Sequence, residues 1–150
     1  MEMIGEQIIA LPQRQVWDAL NDPAILKQCI PGCETVERIT DSEYKMAMVA
    51  AIGPVKAKFS GKLTLTDVSV PDTYTLHFEG TGGVAGFGKG SCQVTLSTDP
   101  IGTKLSYNAK ASVGGKIAQI GSRLVSGAAK KIADQFFAKF NAVLVPTNQG

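Results

Sequence analysis

Hydrophobic positions change their spacing twice along this chain, and the changes divide it into three regions. Met3 to Leu11 mixes Ile4, Ile8 and Ile9 with polar positions and predicts a first strand. Pro12 suits the opening of a helix, where its missing N–H costs nothing. Gln13–Leu20 follows, with Val16, Trp17 and Leu20 on one face. Asn21-Asp22-Pro23 closes that helix and starts a short second one over Ala24–Cys29, and Pro31-Gly32 turns the chain. From Glu34 to Ala111 the period becomes two. Strands are predicted over Glu34–Ile39, Tyr44–Ala51, Lys56–Val68, Thr73–Thr81, Lys89–Ser97 and Thr103–Ala111. Their inward residues are Met46 and Met48; Ala57, Phe59, Gly61, Leu63 and Leu65; Tyr74, Leu76 and Phe78; Cys92, Val94 and Leu96; and Leu105, Tyr107 and Ala109. His77 and Glu79 fall on the solvent side. Glu6 shares the parity of Ile4 and Ile8, which leaves it either a pocket-lining acid or a residue at the sheet edge.

Val113–Leu144 returns to helical spacing, apolar at Ile117, Ile120, Leu124, Ala128, Ile132, Phe136 and Phe140. Gly114, Gly121 and Ala128 recur seven apart beside that stripe, and Lys116, Arg123 and Lys130 make a second seven-spaced row. A glycine inside a helix costs about 1 kcal/mol against alanine. Gly121 on the inner face of one continuous helix therefore implies close backbone approach or room for something else. The order of strand, two short helices, six strands and long helix predicts an α+β fold. A curved seven-stranded antiparallel sheet would wrap around the C-terminal helix. Residues 1–145 read as one domain and 146–150 as a frayed tail.

A hydrophobic content of 44% with 19% charge is that of an ordinary globular domain. The net charge of +2 is too small to argue for nucleic acid. The charge is unevenly placed. Residues 113–150 hold five basic side chains against Asp134 alone, while residues 1–112 hold ten basic and twelve acidic. A basic helix on a slightly acidic body points to an acidic partner or an anionic membrane surface, against the plainer reading of a solvated face. The opening Met1-Glu-Met-Ile-Gly-Glu lacks the basic and apolar regions of a secretory signal. No apolar run reaches about 18 residues. A cytoplasmic setting is expected, with peripheral contact at the inner face of the membrane.

Chemistry-bearing residues are few. One histidine, and a Cys29-x3-Cys33 pair with Cys92 apart, make a weak metal or redox pattern; reduced, mostly buried thiols are expected, with no metal and no intrinsic cofactor. His77 on a solvent face cannot complete a nucleophilic triad, and no inward carboxylate pair offers acid–base chemistry, so no catalytic residue is assigned. Gly82–Gly88 is glycine-rich but lacks the following Gly-Lys-Ser/Thr of a phosphate loop. Three segments share one end of the layout: Ile52-Gly-Pro-Val55, Gly82–Gly88 and the Gly114-Gly115 opening of the helix. Connections carrying Ile52, Val84 and Phe87 mark an entrance, or plug the end of the sheet.

The wording Val16-Trp-Asp-Ala-Leu-Asn-Asp-Pro23, Cys29-Ile-Pro-Gly-Cys33 and the Gly114-Gly115…Gly121 helix, set in this element order, resembles the helix-grip (START-like, polyketide cyclase-like) superfamily. Within it the chain resembles the G-subunit family of carbon monoxide dehydrogenase over about residues 2–143. The resemblance implies a hydrophobic cavity between sheet and helix. It also implies association with a molybdenum hydroxylase and a role at the membrane with a lipid or quinone. The residues expected to line the cavity are Met46, Met48, Phe59, Leu63, Tyr74, Phe78, Tyr107, Ile117, Ile120, Gly121 and Leu124. Small residues at Gly61, Gly80, Gly121 and Ala109 leave volume, and Tyr44, Tyr74, Tyr107 and Ser91 supply hydroxyls. Ile52, Pro54, Val84, Phe87, Gly114 and Gly115 are expected at the entrance, and Lys116, Arg123 and Lys130 at a contact surface. The expected function is non-enzymatic binding of a hydrophobic small molecule. The alternatives are a protein-interaction component whose interior is merely core, and a cyclase- or aromatase-like enzyme, which the fold permits but these residues do not support.

Overall fold

The computed structural model describes residues 1–145. The tail expected to fray, 146–150, lies outside them. Strand β1 (Glu2–Ile9) leads into α1 (Gln13–Leu20) and α2 (Pro23–Cys29). Six strands follow: β2 (Cys33–Thr40), β3 (Glu43–Ile52), β4 (Val55–Ser69), β5 (Thr73–Thr81), β6 (Phe87–Thr98) and β7 (Thr103–Gly114). A four-residue helix, α3 (Lys116–Gln119), precedes the long α4 (Ser122–Leu144). The seven strands form one sheet in the order β1-β7-β6-β5-β4-β3-β2, every neighbouring pair antiparallel. Short links between consecutive strands make β2 to β7 a meander, and β1 closes onto β7 at the far edge.

Local chemistry explains the element ends. The Asp22 carboxylate accepts the Ala24 N–H at 2.9 Å and Pro23 takes the first helical position, so α2 starts with a side-chain cap and a preset φ. Gln13 Nε2 ties the start of α1 to the β4–β5 turn and to β6, donating to Pro71 O at 2.9 Å, Asp72 Oδ1 at 2.8 Å and Leu96 O at 3.2 Å. The closed core gathers at this end. Ile9, Val16, Trp17, Leu20, Tyr74, Val94, Leu96, Leu105 and Phe140 are all buried, and Trp17 meets Tyr74 edge-on at 5.2 Å between ring centres.

Two expectations are overturned. Val113–Leu144 is not one helix: β7 runs to Gly114, and the chain breaks again between α3 and α4. Gly121 sits at that break with φ +101, a conformation that costs an L side chain dearly. An added Cβ there would meet nothing within 4 Å, so Gly121 serves the bend rather than close packing on an inner face. The break also re-phases the apolar stripe. Val125 is buried, whereas Leu124 is 51% exposed. On β1, register with β7 places Met3, Gly5, Gln7 and Ile9 inward; Ile4 and Ile8 face out at 70% and 41% exposure. Glu6 shares their outer face at the sheet edge, bonded to Lys104 at 2.8 Å. That partner's hydrogen bond and charge hold its carboxyl below the usual range.

Candidate functional site

The concave face of the sheet is closed at one end and accessible at the other. Tyr44, Tyr74, Val94, Leu96 and Leu105 are buried beneath the helices near α1 and α2. On the same inward parity, Met46, Met48, Phe59, Leu63 and Phe78 are only half-buried. The middle strands of a sheet under a helix ordinarily carry its best-buried side chains. Large apolar side chains left partly accessible there mark a stretch of the inner face that the helices cover incompletely.

Register contributes to this. Met46 pairs with Gly61, Gly61 with Gly80, and Gly80 with Gly88, so one inward rung across three strands carries no side chain. One rung deeper, Phe78 stands opposite Gly90, with its ring 2.8 Å from where a Cβ would be. Gly61 and Gly80 were legible as inward from alternation. Gly88 was hidden in what looked like a loop and Gly90 lay inside the predicted strand Lys89–Ser97, although Gly88-x-Gly90-x-Cys92-x-Val94 continues the inward period.

The three segments expected at an entrance do share one end. The Gly53-Pro54 turn leaves Ile52 half-buried at the end of β3, and a Cβ on Gly53 would meet Ile120 Cδ1 at 3.3 Å and Leu124 Cδ1 at 3.6 Å. Gly86, at the end of a 3₁₀ turn over Gly83–Ala85, packs beside Gly114 O and the Ile117 side chain. Ala85 and Ile117 are buried there, while Val84 at the tip is 92% exposed. Gly115, at φ +75, turns the chain from β7 into α3 against the Gly86 backbone. Ile120 and Leu124 therefore belong to the mouth and not to the inner wall. The one signal for this contact is Gly121 itself, whose positive φ and bend helical spacing cannot reveal.

Two further assignments are corrected. Phe87 lies on the outer face of the sheet, its ring covering Gly114, and does not reach the entrance from inside. Ser91 pairs with outward-facing His77 and Lys110, so its hydroxyl is outside the cavity. His77 is exposed and bonds Thr66 Oγ1 at 2.9 Å. Lys116 and Arg123 are exposed on either side of the helix break, whereas Lys130 is engaged by Asp134 at 2.8 Å.

The interior is chemically quiet. Burial pushes the Cys92 thiol up to about 11 and raises Tyr74 and Tyr107 above the usual phenol value, so all three are neutral donors at physiological pH. Burial likewise raises Cys29 and Cys33, which keeps them out of thiolate chemistry. No group of three or more His, Cys, Asp or Glu suited to a metal gathers among the described residues. A recess of about 590 Å³ on the outer face is a different kind of place. It lies over the outer side of the glycine rung, lined by Gly61, Gly80 and Gly88 and by the cross-strand row Glu37, Lys45, Lys62, Glu79 and Lys89, in which opposite charges largely alternate and Lys62 also bonds Glu43 at 3.3 Å. That is the pattern of a solvated sheet face.

Comparison with known proteins agrees with this fold. The family profile of CoxG, the G-subunit of carbon monoxide dehydrogenase, matches residues 5–145. A conserved protein from Geobacillus kaustophilus is similar at 34% identity and TM-score 0.88, over 95% of this chain and 94% of that one. Proteins from Chromobacterium violaceum (16% identity, TM-score 0.72, 97% and 98% covered) and Mycobacterium smegmatis (17%, 0.71, 99% and 93%) share the fold. No curated protein matches the chain. The chain belongs to the CoxG family, and its architecture is the helix-grip fold.

Proposed function

We propose that this member of the CoxG family is a non-catalytic accessory protein to a carbon monoxide dehydrogenase-like molybdenum hydroxylase. It holds a lipid or quinone between its sheet and α4. The observation that carries the reading is the half-buried apolar face formed by Met46, Met48, Phe59, Leu63 and Phe78 around a rung of glycines. Removing an apolar molecule from water there contributes about 25 cal/mol per Å² of surface covered. Neutral tyrosines and thiols and an exposed histidine supply no nucleophile or base, which favours binding over catalysis.

The mouth suits transfer from a membrane. Val84 projects from its tip, and Lys116 and Arg123 stand exposed nearby on α3 and α4, an apolar point beside cations that anionic headgroups attract. No helix among the described residues is long and apolar enough to cross a bilayer, so contact would be peripheral. Native mass spectrometry before and after extraction with organic solvent tests the reading. A bound mass that extraction removes, and that returns on incubation with quinone-loaded vesicles, supports it. A protein that carries nothing and takes up nothing contradicts it.

A further inference from the structure

Tyr44 and Tyr74 are the two fully buried tyrosines of the interior, and their hydroxyls differ. Tyr44 donates to Asn21 O at 3.0 Å and receives Arg38 Nη2 at 3.2 Å. Tyr74, only 6% exposed, has no hydrogen-bond partner among the described residues. Asn108 Oδ1 is the single fully enclosed side-chain nitrogen or oxygen left without a partner among those residues. The Tyr74 oxygen, also without a partner, must therefore touch accessible space. Its position is inward, between Trp17 on one side and the rung of Leu65, Leu76 and Cys92 on the mouth side. Burial, then the nearby Cys92 thiol, hold it protonated, so it is a donor. Other inward polar groups compete poorly. Tyr107 leans over Gly5 at the β1 edge and stacks on Phe137, and a thiol is a weak donor. From Tyr74 to Thr81 at its mouth end, at about 3.3 Å per residue, β5 spans roughly 23 Å. The rungs between carry leucines, phenylalanine and glycines.

We infer that the Tyr74 hydroxyl anchors the ligand: the cavity takes an elongated apolar molecule with a carbonyl-type hydrogen-bond acceptor at one end, bound head-first at Tyr74 with its tail toward the mouth. A donor kept unpartnered in an apolar site selects for an acceptor and rejects the hydrocarbon that lacks one. The inference rests on the reading that the cavity holds an apolar ligand. The probes are 2-decyl-1,4-benzoquinone and decylbenzene, matched in shape but not in acceptor, titrated by calorimetry into the intact protein and into Tyr74→Phe. The wild type should bind the quinone about tenfold more tightly than the hydrocarbon, in line with one hydrogen bond. Tyr74→Phe should lose about that tenfold for the quinone, keep its affinity for decylbenzene, and melt no lower than the wild type. If Tyr74→Phe retains the quinone preference, the anchor lies elsewhere and the inference falls while the cavity stands. If Tyr74→Phe melts well below the wild type or fails to fold, the hydroxyl is structural and the inference also falls. Binding of neither probe by the wild type overturns the cavity itself.

Discussion

Gly121 and Tyr44 show how single residues hold this frame without touching a ligand. At φ +101, Gly121 permits the bend between α3 and α4, and an alanine there would be strained although the space around it is open. Gly121→Ala should cost about 1–2 kcal/mol in a urea titration. A close-packing role would instead predict a clash, which this geometry lacks. Tyr44→Phe, which removes the bond to Asn21 O, should cost about 1 kcal/mol by the same measurement and leave ligand uptake unchanged. Residue by residue, alternation places the apolar inward residues of β4 to β7 where the register has them, because these strands have one mainly apolar and one mainly polar side, while Ser91 on β6 faces outward. It failed on β1. There Ile4 and Ile8 are the outer face, and the inner surface at Gly5 is covered by the Tyr107 ring from the neighbouring strand. A side chain lent by a partner strand leaves no mark in the borrowing strand's own pattern.

At the scale of elements, the two short helices were legible from caps and spacing. Asp22→Ala should remove the α2 cap and lower stability by about 1 kcal/mol, seen as a shifted denaturant midpoint. The C-terminal helix was legible in extent but not in continuity. Apolar residues keep helical spacing through Ile117, Ile120 and Leu124, so periodicity carries across the break as if it were absent. Only the positive φ at Gly115 and Gly121 separates α3 from both neighbours. The consequence is functional geometry: Ile117 locks beneath Gly86, while Ile120 and Leu124 meet the Gly53 turn at the mouth.

The whole molecule divides into a closed end and an accessible end, and that division was not legible, since identical inward leucines and phenylalanines serve both. What decides it is where the helices fall. The core around Val16, Leu20, Val94, Leu96 and Leu105 is closed beside α1 and α2, whereas Met46 and Phe59 stay partly accessible among the described residues. The buried interior also sets an alkaline limit. The Cys92 thiol ionises at 9.0 when unperturbed and at about 11 when folded, so across that window the unfolded chain releases a proton the folded protein keeps. Stability should be complete below pH 9.0 and decline as pH rises toward about 11. In Cys92→Ala, thermal melts should show a shallower decline, with Cys29, Cys33 and Tyr74, also raised by burial, still contributing.

The central claim is that the glycine rung is ligand space. Gly80 is the position to fill: an added Cβ would rest at 3.4 Å from Ser60 O and 3.7 Å from Gly61 Cα, ordinary contacts, whereas Gly61 would collide with Glu79 O at 2.7 Å. Gly80→Leu should fold with a near-native melting temperature and lose uptake of decyl-benzoquinone by at least about tenfold, the equivalent of about 1.4 kcal/mol. A well-folded Gly80→Leu that takes up the quinone as the wild type does would contradict the account.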